Sequence, residues 1–224
     1  MDWTALELSV RLASFVAAAL LAIGLPIAYW LTFSRWRWKF LIEALVALPF
    51  VLPPTVLGFY VLVAIGSRSP IGRVWTAWTG HGLAFTFEGL LVASVLYSLP
   101  FAVQPIAAAF SQVDGALLEA SATLGASKWR TFFRIILPLS AEGVIAGAVL
   151  SFAHTLGEFG VVLMVGGNLP GVTRTASVAI YDHVQGLQYQ AANQMALLLL
   201  AVSFVVLTAV YALARKPWVI GPLS

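Results

Sequence analysis

The chain has 224 residues, of which 61% are hydrophobic and only 9% charged, against roughly 25% charged in an average soluble domain. A soluble fold of this size cannot hide that much apolar surface, because much of its exterior must meet water; an all-α integral membrane protein can, with lipid as its outer solvent. The net charge of +3 would suit nucleic acid, but the charges are scattered between apolar stretches, and zero cysteines remove a disulfide framework and a thiolate metal site.

Five apolar stretches are long enough to span about 30 Å of hydrocarbon, which needs roughly 20 helical residues. They run from Leu12 to Phe33, Leu41 to Gly66, Phe85 to Phe110, Gly143 to Val165 and Met195 to Ala214. The first is read as a retained helix, because Asp2 and Glu7 stand where a signal peptide would carry basic residues. A sixth, shorter span is the alternative, since the second stretch contains Pro49, Pro53 and Pro54. No internal repeat supports an inverted-repeat carrier.

Eight of the twelve basic residues fall on one side of a five-span chain: Arg35, Arg37, Lys39, Lys128, Arg130, Arg134, Arg215 and Lys216. Arg11, Arg68, Arg73 and Arg174 fall on the other. The positive-inside rule then puts the N-terminus outside and the C-terminus in the cytoplasm. The tryptophans, from Trp3 to Trp218, fall at or beyond span ends, where indoles favour the interface.

Pro53-Pro54 removes two backbone donors in mid-span and predicts a kink or break; Pro100 and Pro105 predict the same in span three. Such prolines either line a water-accessible path or reflect the general tolerance of membrane helices for proline. Gly24, Gly58, Gly143 and Gly147 allow close helix packing, the last two at a small-xxx-small spacing. Span four carries Glu158, flanked by His154, Gly157 and Gly160. A carboxylate there needs protonation, a partner or water; backbone donors and an arginine near the outer face are both candidates. A metal site is disfavoured, since only His154 lies within reach. His81 and His183 are read as solvated loop residues.

No Gly-x-x-x-x-Gly-Lys-Ser/Thr motif is present, and none of the three lysines follows a glycine. There is no catalytic nucleophile–base set either. The chain is therefore read as no enzyme and as binding no cofactor; an engine for uphill transport would be another chain. The segment Asp114–Pro138 is where it would grip. Asp114 can cap a short helix to about Leu124, Gly125 can end it in a left-handed turn, and Ser127 can cap a second helix running to Pro138. Leu117, Leu118 and Leu124 would be available for docking. An interfacial helix lying on the bilayer is the alternative for this pattern alone.

That loop resembles the EAA motif of ABC-importer permeases: Glu-Ala-Ala, three residues, Gly, nine residues, Ile, one residue, Leu-Pro. Glu119, Ala120, Gly125, Ile135, Leu137 and Pro138 fall on the spacing, with Ser121 in place of the second alanine. Beyond the loop, Leu48–Gly58, Leu156–Gly160 and Asn168–Thr175 resemble the family of molybdate permeases of the ModB type over nearly the whole chain. The resemblance implies a type I ABC importer permease fold in a single transmembrane domain, 1–224, with the coupling loop at 114–138. It implies two ABC ATPase subunits that bind ATP and Mg, an extracytoplasmic molybdate-binding protein, a second copy of this chain, and a bacterial or archaeal inner membrane. Docking is carried to Glu119, Ala120, Ser121, Leu124 and Gly125. Sulfate or thiosulfate permeases look similar, and nothing in the spacing separates tetrahedral oxyanions of like charge.

No lysine or arginine lies in a span core, so an oxyanion would meet only small donors. Thr55, Ser94, Ser98, Gln104, Ser151 and Thr155, with Glu158 near a gate, are the candidates for the path. Weak, multi-site contact suits release better than capture. An ion-coupled secondary transporter is the rival class, with Glu158 its one candidate coupling site; a membrane enzyme or assembly factor is the other.

Overall fold

A computed structural model describes residues 2–214. Arg215, Lys216 and Trp218, used above for topology, lie outside the described residues. The first span is one helix, α1 (Trp3–Phe33), whose start is capped by Asp2 accepting from the Ala5 N–H at 3.0 Å. The second stretch breaks as expected. Helix α2 (Lys39–Val51) ends at Leu52, which takes the extended backbone required before proline, and α3 (Pro54–Ile65) begins with Pro54 in its first turn. The two helices meet at 115°.

A short helix not anticipated from sequence follows, α4 (Pro70–Thr79), capped by Ser69 and ended by Gly80 at φ 80°. It carries Trp75 and Trp78. The third span, α5 (Phe87–Ser111), stays one helix through Pro100 and Pro105, so of the expected kink or break there is no break. The prolines are five residues apart, so ladder bonds survive between them, and the flanking helices α1 and α9 hold the segment by packing.

Past the loop, α6 (Gly115–Thr123) and α7 (Lys128–Thr131) lead into a π-helical stretch, Phe132–Ile136, and a last turn, α8 (Leu137–Leu139). The helix anticipated to stop at Pro138 thus runs one residue beyond it and contains a π segment. At Ser140 the chain turns by 73° into α9 (Ala141–Gly157). The fourth apolar stretch, read as continuous from Gly143 to Val165, is in fact divided. Glu158 is extended, and a separate helix, α10 (Gly160–Gly166), follows. Then come α11 (Ala176–Gln185) and α12 (Tyr189–Ala214). His183 lies in α11 rather than in a loop. Among the described residues, three helices are long and apolar enough to cross a membrane, or up to five spans if each bent pair counts once.

The interior lies where α1, α5 and α9 cross. Leu12, Val16 and Leu20 of α1 are fully buried against Leu90 and Ala102 of α5 and Val162 of α10. Toward the loop end, Ala28 and Leu31 pack on Val103, Ile106 and Phe110. The crossing of α5 and α9 is close because Gly143 and Gly147 face it. A Cβ at Gly143 would lie 2.3 Å from Ala109 Cβ, and one at Gly147 2.9 Å from the Ala102 carbonyl oxygen. The small-xxx-small spacing is therefore a packing device, since no side chain longer than hydrogen fits.

Candidate functional site

Two places carry chemistry: the 114–138 loop, and the region where the two broken spans meet. In the loop, Asp114 accepts from the Ala116 N–H at 2.9 Å and starts α6. Its end is a Schellman motif. Gly125, at φ 73°, donates its N–H to the Ala122 carbonyl, and Ala126 donates to Ser121, each at 3.0 Å. Ser127 then caps α7 by accepting from the Arg130 N–H at 3.3 Å. The sequence-level reading of both caps and of the left-handed glycine agrees with this geometry.

The two short helices are pinned together from below. Ser121 is 7% exposed, and its Oγ lies 2.7 Å from Thr131 Oγ1. Thr131 was not singled out from sequence; a hydroxyl ten residues from Ser121 carries no signal until the chain folds back. Leu118 turns inward with Phe132 against the Ile106 and Phe110 cluster, so it is no docking residue. Glu119, Ala120, Leu117, Leu124 and Gly125 are exposed on the outer face, with Leu124 86% exposed. An apolar side chain presented at the tip of a capped protrusion is what a protein partner can cover.

At the span breaks, Pro54 opens α3 and Gly160 opens α10, and the two touch: a Cβ on Gly160 would lie 2.6 Å from Pro54 Cβ. One turn on, a Cβ on Gly58 would lie 2.8 Å from Met164 Cβ. The half-spans therefore run parallel, side by side. Glu158 is 7% exposed, and its Oε1 accepts from the Val161 N–H at 2.9 Å. Of its two anticipated partners, it takes backbone. The arginine, Arg174, instead pairs with Asp182 at 3.0 Å and approaches Asp2 at 3.9 Å, while its Nε donates to Asn168 Oδ1. The Glu158 carbonyl in turn accepts from Ser177 Oγ.

The hydroxyls expected along a path are mostly enclosed within the subunit. Ser94 is fully buried, and among the described residues its Oγ has no hydrogen-bond partner. Ser151 donates to its own helix at Gly147. Thr155 Oγ1 donates to the Ser151 carbonyl at 2.8 Å and so is left to accept from Ser98 Oγ at 2.9 Å. Ser98 must then accept from His154 Nδ1–H, also at 2.9 Å. This chain of donors sets the imidazole tautomer. The ring is stacked on Phe101 at 3.8 Å and flanked by Tyr97 at 4.9 Å. Phe101 also meets Phe50 of α2 edge-on at 4.8 Å. Thr55 and Gln104, by contrast, are exposed. Among the described residues no group of three His, Asp or Glu side chains could hold a metal ion.

Among the described residues the chain is all helical, with two broken spans and a capped, exposed loop. Residues 20–219 match the family described as "Binding-protein-dependent transport system inner membrane component", and the chain belongs to that family. It is thus a transport component rather than a catalytic one. It is 52% identical to the molybdenum transport system permease protein ModB of Azotobacter vinelandii, over 96% of this chain and 95% of that one. To ModB of Escherichia coli (strain K12) it is 40% identical, over 82% and 80%. To the sulfate transport system permease protein CysT of the same strain it is 34% identical, over 92% and 74%. In fold it is similar to the MetNI methionine ABC transporter, with TM-score 0.73 and 18% identity over 96% of this chain and 95% of that one. A bacterial ABC transporter that imports alginate superposes with TM-score 0.73 at 17% identity, over 95% and 78%.

Proposed function

We propose that this chain is the membrane-spanning subunit of an ATP-driven importer of molybdate or tungstate. Two copies form the path, two ATPase subunits supply the energy, and an extracytoplasmic molybdate-binding protein delivers the anion. ATP and Mg are bound by the ATPase, and this chain carries no cofactor of its own. The basic loops, the 114–138 loop among them, face the cytoplasm, with the N-terminus outside and the C-terminus inside.

One observation carries the reading. The tip Glu119–Gly125 is braced by two caps and the Ser121–Thr131 pin, yet all of it but Ser121 is exposed. A rigid, exposed protrusion transmits a partner's movement, whereas a loop merely resting on lipid needs no such bracing. Glu119, Ala120, Ser121, Leu124 and Gly125 form or hold the seat for the ATPase. Thr55 faces the path at the proline break. Ser94, Ser98, Ser151, Thr155 and Glu158 brace the wall behind it, so the anion meets few donors and is released rather than captured. The preference for molybdate over sulfate rests on the higher identity to the molybdenum permeases than to CysT.

The test is copurification and flux. The chain should copurify with an ATPase at one to one. Proteoliposomes holding both, with the binding protein outside, should accumulate molybdate only with ATP, and excess sulfate should compete weakly. Uptake that follows an ion gradient without ATP would reject the importer; strong competition by sulfate would move the substrate to sulfate.

A further inference from the structure

Between α1 and the segment Lys128–Leu139 lies a cleft of two connected grooves that share Tyr29 and Lys128. The inner groove holds about 490 Å³ and is walled by Leu21, Leu25 and Pro26 on one side and Trp129, Phe133 and Leu137 on the other. The outer one, about 430 Å³, continues past Ser34, Ala126 and Thr131. From Leu21 to Ser34 is about 20 Å along a helix at 1.5 Å per residue. The cleft is apolar for two turns and becomes polar at one end. Lys128 stands at that change. Among the described residues, no carboxylate lies within ion-pair distance of Lys128. Arg35 and Arg37, just past Ser34, and Arg130, two residues on, are exposed and add positive potential at the same end.

We propose that this cleft binds one anionic phospholipid, an acyl chain lying along Leu21–Tyr29 and the phosphate group at Lys128. The depth argues for lipid. Leu21 and Leu25 sit within the hydrophobic run of α1, more than one turn inside its end, where no water-soluble partner reaches. The charge argues for an anion, because a zwitterionic headgroup brings its own cation beside the phosphate and so leaves the net charge of Lys128, Arg35 and Arg130 uncompensated; basic pockets between membrane helices are known to hold anionic headgroups. Trp129, stacked on Phe133 at 5.9 Å, puts its indole at the mouth, the level where indoles favour the interface. The bound lipid touches α1 and the π-helical stretch at once, and Phe132 of that stretch already leans edge-on against Tyr29 at 5.4 Å. Lipid in the cleft therefore braces the segment joining α6 to α9. This inference rests on the reading of the 114–138 loop as lying on the cytoplasmic side of a membrane.

The experiment is native mass spectrometry of the permease–ATPase complex released from nanodiscs of equal dioleoyl phosphatidylglycerol and dioleoyl phosphatidylcholine. Wild type should retain phosphatidylglycerol by roughly fivefold over phosphatidylcholine, as about 1 kcal/mol per lysine near a surface implies. Lys128→Gln, at an exposed position, should bring the ratio near one. Ala22→Trp, which fills the inner groove from the exposed side of α1, should lose retained lipid of both kinds. Equal retention in wild type, or a ratio unchanged in Lys128→Gln, overturns the site. Undiminished retention in Ala22→Trp marks ordinary surrounding lipid and overturns it too. Failure of the ATPase to copurify would reject the importer reading, whereas phosphatidylglycerol retained by the chain alone would leave the lipid site standing.

Discussion

Pro54 and Gly160, the first residues of two separate half-spans, touch ring to backbone, with no room between them for a Cβ. Each half-span begins after a break, and each break has its own local cause. At Leu52 it is the two prolines; at Glu158 it is an extended residue between two glycines. Their contact joins the two breaks into one unit.

Gly160→Ala should therefore lower stability. Inserting one methyl into a packed contact costs about 1–3 kcal/mol, and here the neighbour is a rigid ring 2.6 Å away. Gly157→Ala, three residues earlier, meets nothing within 4 Å and should be near neutral. Thermal unfolding in detergent checks the pair. Equal melting of the two variants would show that the Pro54 contact yields freely.

Gly125→Val should abolish coupled ATP hydrolysis and uptake while the chain still inserts. No atom lies within 4 Å of a Cβ placed there, so the effect is backbone strain alone, about 1–2 kcal/mol at φ 73°. Gly125→Asn, which tolerates the left-handed region, should keep much of the activity. Glu119→Lys should weaken ATPase association through contacts outside this chain. ATPase pull-down and proteoliposome uptake decide it, and normal results for both Gly125→Val and Glu119→Lys would leave the loop as a surface helix.

Glu158→Gln retains an acceptor for the Val161 N–H and should assemble normally, whereas Glu158→Ala removes the cap and should cost about 1 kcal/mol. The glutamine variant separates charge from hydrogen bonding. If the charge takes part in gating, uptake and stimulated ATPase activity both change. If both are unaltered, Glu158 is a cap and nothing more.

Orientation is open to direct labelling because the chain has no cysteine. Arg130→Cys and Leu169→Cys, both exposed, should react with impermeant maleimide from opposite faces, the first from the cytoplasm only. Labelling of both from one face would overturn the five-span arrangement.

Much of this protein was legible in the sequence because it depends on near neighbours. Hydropathy and length marked the membrane class and most of the helices. Asp114, Gly125 and Ser127 declared the loop, since caps and left-handed turns are set by residues within three or four positions. Pro53-Pro54 declared a break for the same reason. What only the tertiary structure decided involves distant partners. That α5 survives two prolines follows from the helices packed around it. That the half-span after Glu158 packs beside the one after Pro53 follows from Gly160 closing on Pro54, more than one hundred residues earlier. Ser121 meeting Thr131, Arg174 choosing Asp182 over Glu158, and Ser98 joining His154 to Thr155 likewise need the chain to fold back on itself. Polar groups in a span must find partners inside the protein, and sequence spacing alone does not say which ones the helix crossings bring within reach.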